Sequence, residues 1–333
     1  MQLFGTVSIE ITSLCNLSCK HCFNRVQPLG TMRFETLKAI IEKFSMFDIP
    51  QFVISGGEPF MHPDLQNIIS YVSQTPFDYI LTTNGTIINH EVLELISHAP
   101  NISIQISLDG SCARIHNEQR GLGAFEQMER FCDILEKKKI KYQFHSTITK
   151  INYKDMEFIC RYAIDKNVYL DMAFVSLVGN AALNREKIAL TDNEKIYTYF
   201  NLKQKFENHI GIKLPKILYS CAFTNENYVI CPSINSNGLV NVCNAMEDNS
   251  NIGNVLFLDL DNIKENAKLK QIEEKCKRRQ TFIKHELCKD CIVKECEQGC
   301  IAKAMSLGNE FGDDGECEFR KKVEVLSNLN QLI

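Results

Sequence analysis

Three thiols stand together near the start of the chain, in the run Cys15-Asn-Leu-Ser-Cys19-Lys-His-Cys22. Thiolates at this spacing can converge on one metal centre, and three of them leave a coordination position open for a substrate or cofactor. An iron–sulfur cube with one iron not held by protein would use that opening. A structural zinc site would need a fourth ligand, from His21 or from a distant residue. A second group of thiols lies far downstream: Cys288, Cys291, Cys296 and Cys300 in one dense run, then Cys317, with Cys221, Cys231 and Cys243 before them. One tetrahedral site takes four thiolates, so these eight suffice for two sites, either zinc ribbons or iron–sulfur centres.

The elements that must position these thiols are legible from hydrophobic period. Strands are expected at Thr6–Ile11, Phe52–Ser55, Tyr79–Thr83, Ile102–Leu108, Tyr142–Thr149 and Val168–Val175. Between them, Leu37, Ile40, Ile41 and Phe44 recur at the spacing of one helix face, as do Leu65, Ile68, Ile69 and Val72. Phe125, Met128, Cys132 and Leu135 form a third stripe, and Met156, Ile159, Cys160 and Ala163 a fourth. Six strands joined by helices imply a parallel sheet with right-handed crossovers, either an incomplete (β/α) barrel or a doubly wound sheet. In both, chemistry belongs at the C-terminal ends of the strands. The three-thiol run follows the first strand. Gly56-Gly57-Glu58-Pro59 follows the second, Thr83-Asn84-Gly85 the third, and Ser107-Leu108-Asp109-Gly110 the fourth. Two glycines let backbone approach a ligand closely, Asp109 suits ribose hydroxyls, and Arg120 can pair with a carboxylate. Each is also an ordinary turn sequence, but four of them on one rim mark a site.

The chain has 333 residues, 44% of them apolar and 23% charged, enough for about two domains with a large core. Its net charge of −4 gives no global basic field, so no nucleic-acid partner is expected. No apolar run is long enough to span a membrane and Met1–Ser8 lacks signal-peptide character, so a cytoplasmic, membrane-free protein is expected. Fifteen cysteines are too few for a disulfide scaffold and too clustered for chance, which in a reducing compartment favours metal or redox chemistry. A seam falls near 179–190, Thr191 and Glu194 form a capping box, and Asn-rich turns follow Lys213. The expected domains are 1–212, 213–325 and a tail at 326–333.

The Cys15, Cys19, Cys22 run, the Gly-Gly-Glu-Pro at 56–59 and the Ser-Leu-Asp-Gly at 107–110 resemble the radical S-adenosylmethionine (SAM) superfamily over about residues 6–180. The resemblance implies an α/β fold, a partial (β/α)6 radical SAM barrel, with a [4Fe-4S] cluster on those three thiols and SAM on its open iron. It implies further that Gly56, Gly57 and Glu58 meet the SAM amino group. Ser107, Asp109 and Arg120 would contact ribose or carboxylate, and His21 would lie near adenine. The later thiols resemble the SPASM extension, a small cysteine-rich domain with two auxiliary [4Fe-4S] clusters, although Cys291-x4-Cys296 is one residue shorter than that family's usual spacing. Carried over, Cys221, Cys231, Cys243 and Cys300 would bind the first auxiliary cluster, and Cys288, Cys291, Cys296 and Cys317 the second.

Four cysteines remain. Cys132 and Cys160 sit on apolar helix faces and are expected in the core. Cys276, in the basic stretch Lys275–Arg279, is expected on an exposed, solvated helix face. Cys112 lies on the catalytic rim, where a thiol can donate a hydrogen atom to a substrate radical.

The implied activity is reductive cleavage of SAM and hydrogen abstraction from a ribosomally made precursor peptide, installing a thioether or carbon–carbon crosslink. A peptide epimerase, a maturase of a protein active-site residue, and a small-molecule dehydrogenase or epimerase are the alternatives. A non-enzymatic metal scaffold would predict no SAM cleavage. A flavodoxin or ferredoxin is the expected reductant. With the first strand beginning near Thr6, peptide recognition is expected from a separate leader-binding protein or from the barrel itself.

Overall fold

Along the first six strands, buried and mostly apolar side chains alternate with part-exposed ones, and this alternation sets the two faces of the sheet. The computed structural model describes residues 2–23, 30–217, 221–224, 227–243, 246, 249–286, 288–293, 296–297, 299–308 and 311–330. Its strands are β1 (Val7–Thr12), β2 (Phe52–Gly56), β3 (Tyr79–Thr83), β4 (Ile102–Ser107), β5 (Tyr142–Ile148), β6 (Tyr169–Phe174), β7 (Ile212–Lys213), β8 (Ser233–Ile234), β9 (Leu239–Asn241) and β10 (Asn251–Asn254). The helices between β1 and β6 are α1 (Phe34–Phe44), α2 (Leu65–Val72), α3 (His90–Ser97), α4 (Ala113–Arg120), α5 (Ala124–Lys138) and α6 (Met156–Asp165). Then follow α7 (Asn180–Leu183), α8 (Arg185–Ile188), α9 (Asp192–Phe206), α10 (Ala267–Glu286), α11 (Ile301–Ser306) and α12 (Cys317–Asn330).

Strand order decides between the two architectures that period alone left open. β1 to β7 lie side by side in chain order, each parallel to the next. A doubly wound sheet would reverse its order at a switch point. With right-handed crossovers, sequential order puts every helix on one face, and the sheet is a partial barrel. The four helical stripes read from sequence are buried against that face, Cys132 and Cys160 with them.

The cysteine-rich region is continuous with this sheet. β8 pairs in parallel with β1, with Ser8 opposite Ser233 and Ile9 opposite Ile234, and β9 and β10 extend it antiparallel. At the opposite edge, Phe319 of α12 packs on Phe174 at the end of β6, with ring centroids 5.8 Å apart. Lys195 of α9 pairs with Glu316 at 3.2 Å, and the Thr191–Glu194 capping box starts α9. Residues 326–330 continue α12; 331–333 lie outside the described residues.

Candidate active site

Cys15, Cys19 and Cys22 come from one loop at the C-terminal end of β1, and four segments of the rim around it hold that loop. From β2, the Gly57 and Glu58 amides donate to the Thr12 and Leu14 carbonyls at 2.7 Å each. This approach demands glycine: a Cβ on Gly56 would stand 2.1 Å from the Thr12 oxygen, and one on Gly57 would stand 2.2 Å from the Leu14 oxygen. From β3, Asn84 donates to Asn16 at 3.0 Å. From α4, the Gln119 carbonyl accepts from Lys20 N at 3.0 Å, and beyond β6 Asn180 donates to the Cys19 carbonyl at 2.7 Å.

Glu58 is fully buried. Its carboxylate accepts from Phe60 N at 3.0 Å, Thr83 Oγ1 at 2.8 Å and Asn84 N at 2.8 Å. It therefore ties the β2 rim to the β3 rim. Asp109 is equally buried: Oδ1 accepts from Thr147 N at 2.8 Å and Oδ2 accepts from Arg120 Nε at 2.6 Å. Burial would raise its pKa, but Arg120 and then His21 outweigh burial and hold the carboxyl well below the usual range. Both carboxylates are held by hydrogen bonds from the protein itself, while Gly56 and Gly57 are part-exposed.

Arg120 is the last residue of α4, and its Nη1 approaches Cys19 Sγ at 4.0 Å. The carbonyl end of a helix carries partial negative charge, which disfavours a thiolate; the guanidinium offsets it. His21 Nε2 lies 3.4 Å from Arg120 Nη2, and burial lowers the ring's pKa to about 4, so it is neutral at pH 7. His21 Nδ1 is buried with no hydrogen-bond partner among the described residues, an open donor or acceptor inside the rim. Ser107 ends β4, part-exposed, with His145 opposite. Cys112 is exposed and begins α4 at the end remote from Arg120, roughly 12 Å along an eight-residue helix.

Sequence reading missed the inner face of the barrel. Opposite the helices, the strands present Ser8 and Glu10 from β1, Ser55 from β2, Thr82 from β3, Gln105 from β4, Gln143 and His145 from β5, and Asp171 from β6. Gln143 donates to Gln105 at 3.3 Å, and His145 faces Asp171 at 3.8 Å. Burial pushes the Glu10 carboxyl up to about 7. The signal was present: these residues are the polar half of each alternating strand, which reads equally well as a solvent face.

Residues 9–163 match the family model described as the radical SAM superfamily. This part of the chain is a radical SAM domain. Radical SAM domains bind SAM and a [4Fe-4S] cluster, and three thiols on one loop beside a buried guanidinium suit a cluster with one open iron. An AdoMet-dependent heme synthase of Methanosarcina barkeri is 28% identical over 62% of this chain and 60% of its own length. The chain thus spans less than two thirds of the heme synthases it matches. The antilisterial bacteriocin subtilosin biosynthesis protein AlbA of Bacillus subtilis is 25% identical over 100% of this chain and 74% of its own length. In the solved structures, Streptococcus suis SuiB bound to precursor peptide SuiA superposes with a TM-score of 0.77 at 16% identity, covering 95% of this chain and 76% of that one. The fold is a radical SAM barrel followed by a cysteine-rich C-terminal region.

Two further thiol groups lie in that region. Cys288, Cys291, Cys296 and Cys317 line one cavity of about 360 Å³ with Arg279 and Arg320 on its wall, a donor set and a space that fit a cluster. In the other group, Cys221 Sγ lies 3.9 Å from Cys276 Sγ. The expectation that Cys276 is exposed is therefore corrected: it is 2% exposed, and Arg279 is buried beside it, while Lys277 and Arg278 do face solvent. Cys231 is exposed. No helix among the described residues is long and apolar enough to cross a membrane.

Proposed function

We propose that the chain reductively cleaves SAM and takes a hydrogen atom from a peptide, installing a thioether or carbon–carbon crosslink in a ribosomally made precursor. The observation that carries this reading is the likeness to AlbA, which takes in the whole chain, whereas the likeness to heme synthases takes in 46% to 62% of it. The inner face supports it as well. Gln105, Gln143, Ser55 and Thr82 offer amide and hydroxyl partners suited to a peptide backbone. Glu10 and Asp171 add carboxylates there, and a porphyrin's own carboxylates would call for cations instead.

Cys15, Cys19 and Cys22 would hold a [4Fe-4S] cluster, and the later thiols would hold two auxiliary ones, to which the peptide radical would give up an electron, with loss of a proton, as the crosslink forms. When bound, the first cluster with SAM supplies the one-electron cleavage that yields a 5′-deoxyadenosyl radical. The chain's own residues do the rest. Arg120, aimed by Asp109, balances thiolate charge and faces the SAM carboxylate. His21 and Ser107 bound the nucleoside side, and the Gly56–Gly57 backbone faces the SAM amino group. A flavodoxin or ferredoxin would supply the electron, and a separate leader-binding protein or the barrel would recognise the precursor.

The test is anaerobic turnover of the reduced, iron-loaded chain with SAM and any short Cys- or aromatic-rich peptide that sequencing finds encoded beside its gene. Formation of 5′-deoxyadenosine, absent in Cys19→Ala, with a peptide lighter by two hydrogens supports the reading. SAM cleavage that persists in Cys19→Ala would overturn the site. A peptide of unchanged mass in ordinary water that becomes heavier by a deuterium-for-protium exchange in deuterated water would replace crosslinking by epimerisation.

A further inference from the structure

Helix α10 buries Leu269, Ile272, Cys276, Arg279 and Ile283, a single stripe at alternating spacings of three and four. The stripe packs against the turn Ala222–Thr224, directly after Cys221, and sets Cys276 Sγ 3.9 Å from Cys221 Sγ. That separation is nearly twice a disulfide bond, so the two sulfurs are not bonded to each other. Cys243 and Cys300 lie close enough to act electrostatically on the Cys276 thiol, and Cys221 acts on Cys300. Cys221, Cys243 and Cys300 are all part-buried at the edge of the same core. Cys221 and Cys276 thus face each other across 55 residues, with Cys243 and Cys300 in their electrostatic neighbourhood.

Cys231 is placed differently. It follows the bridge between Phe4 and Ile230, and Ile230 is 1% exposed. Extended backbone turns successive side chains to opposite sides, so Cys231 points away from the core that covers Ile230. Its sulfur rests on Gly5, where an added Cβ would come within 2.7 Å of it.

We propose that Cys276, and not Cys231, completes the first auxiliary site together with Cys221, Cys243 and Cys300. The assignment rests on reading the C-terminal thiols as cluster ligands. It explains why a cysteine occupies a buried position in the charged run Lys275–Arg279, where leucine would serve packing alone. It also gives α10 two roles, since Arg279, one turn on, walls the second thiol cavity.

Three cubes of four irons predict about 12 iron per anaerobically reconstituted chain. Cys276→Ala is expected to fall to about 8, or to show an oxidised three-iron EPR signal in place of one cube, while Cys231→Ser keeps about 12 with the wild-type spectrum. Because Cys276→Ala removes a buried side chain and could misfold, iodoacetamide footprinting of the wild-type holoprotein gives an independent readout. Cys231 is expected to be alkylated without loss of iron. A Cys276→Ala protein with full iron and an unchanged spectrum, or a Cys231 protected only while iron is bound, would overturn the assignment. A wild-type chain that takes up only about 4 iron would instead bring down the auxiliary-cluster reading itself.

Discussion

Asp109 and Arg120 form a buried ion pair, Nε to Oδ2 2.6 Å, whose cation also reaches to 4.0 Å from Cys19 Sγ. The carboxylate comes from the end of β4 and the guanidinium from the end of α4, so the turn between strand and helix is what aims a positive charge at the thiol loop. Removing one partner of such a pair leaves an uncompensated buried charge, at a cost of about 3–5 kcal/mol. Asp109→Asn is expected to lower stability by that amount in urea titration of the anaerobic protein. The double variant Asp109→Asn/Arg120→Met is expected to recover part of it, and a double variant worse than the sum of its singles would remove the pairing.

Gly57 lies against backbone that cannot rotate away, since its added Cβ would meet the Leu14 oxygen at 2.2 Å. Gly57→Ala must therefore push the Cys15 loop outward and is expected to lose about four iron per chain with SAM-cleavage activity. Gly123→Ala is the comparison. Its φ of +79° is also unfavourable to a side chain, but only the flexible Gln127 amide, at 3.9 Å, is near. It should cost about 1 kcal/mol and leave iron content unchanged.

His116 accepts from Asp109 N at 3.2 Å, and burial followed by the charge of Arg120 lowers its pKa from 6.5 to about 3. Between those values the unfolded chain binds a proton that the folded chain refuses. Stability is thus full above pH 6.5 and declines as pH falls towards 3, by at most about 1.4 kcal/mol per pH unit from this group. Denaturation midpoints across that range should fall less steeply in His116→Gln than in wild type; parallel curves would contradict this.

Glu10 has the opposite sign. Burial raises its carboxyl from 4.5 to about 7, so the folded chain holds a proton that the unfolded chain releases. The resulting loss of stability is absent below pH 4.5, grows as pH rises through this window and is complete above pH 7. Glu10→Gln is expected to be more stable than wild type at pH 8, by up to about 3 kcal/mol, and equal to it near pH 4. If Glu10 also holds peptide, this variant should raise the KM for peptide while SAM cleavage continues without it.

The strands were legible to within one or two residues because alternation is strong where one side meets helices. β1, expected at Thr6–Ile11, runs Val7–Thr12. The stripe of α10 was not legible. Cys276 and Arg279 interrupt it, lysines surround it, and its partners include the distant turn Ala222–Thr224, so the segment reads as a solvated face. The inner face of the barrel was hidden for a related reason: a polar half-strand has one pattern whether it faces water or a lumen.

What the amino-acid order determines alone is what lies within one loop or one element: three thiols converging after β1, helix faces at their period, and glycines where backbone must touch backbone. Which distant groups meet is decided only when the crossovers stack the strands in order. That stacking turns Glu58 and Asp109 inward as braces and leaves Arg120 at the thiol loop. It also brings Cys276 to Cys221 across 55 residues, because a helix buries the stripe that finds a matching surface, whatever the charge of its neighbours.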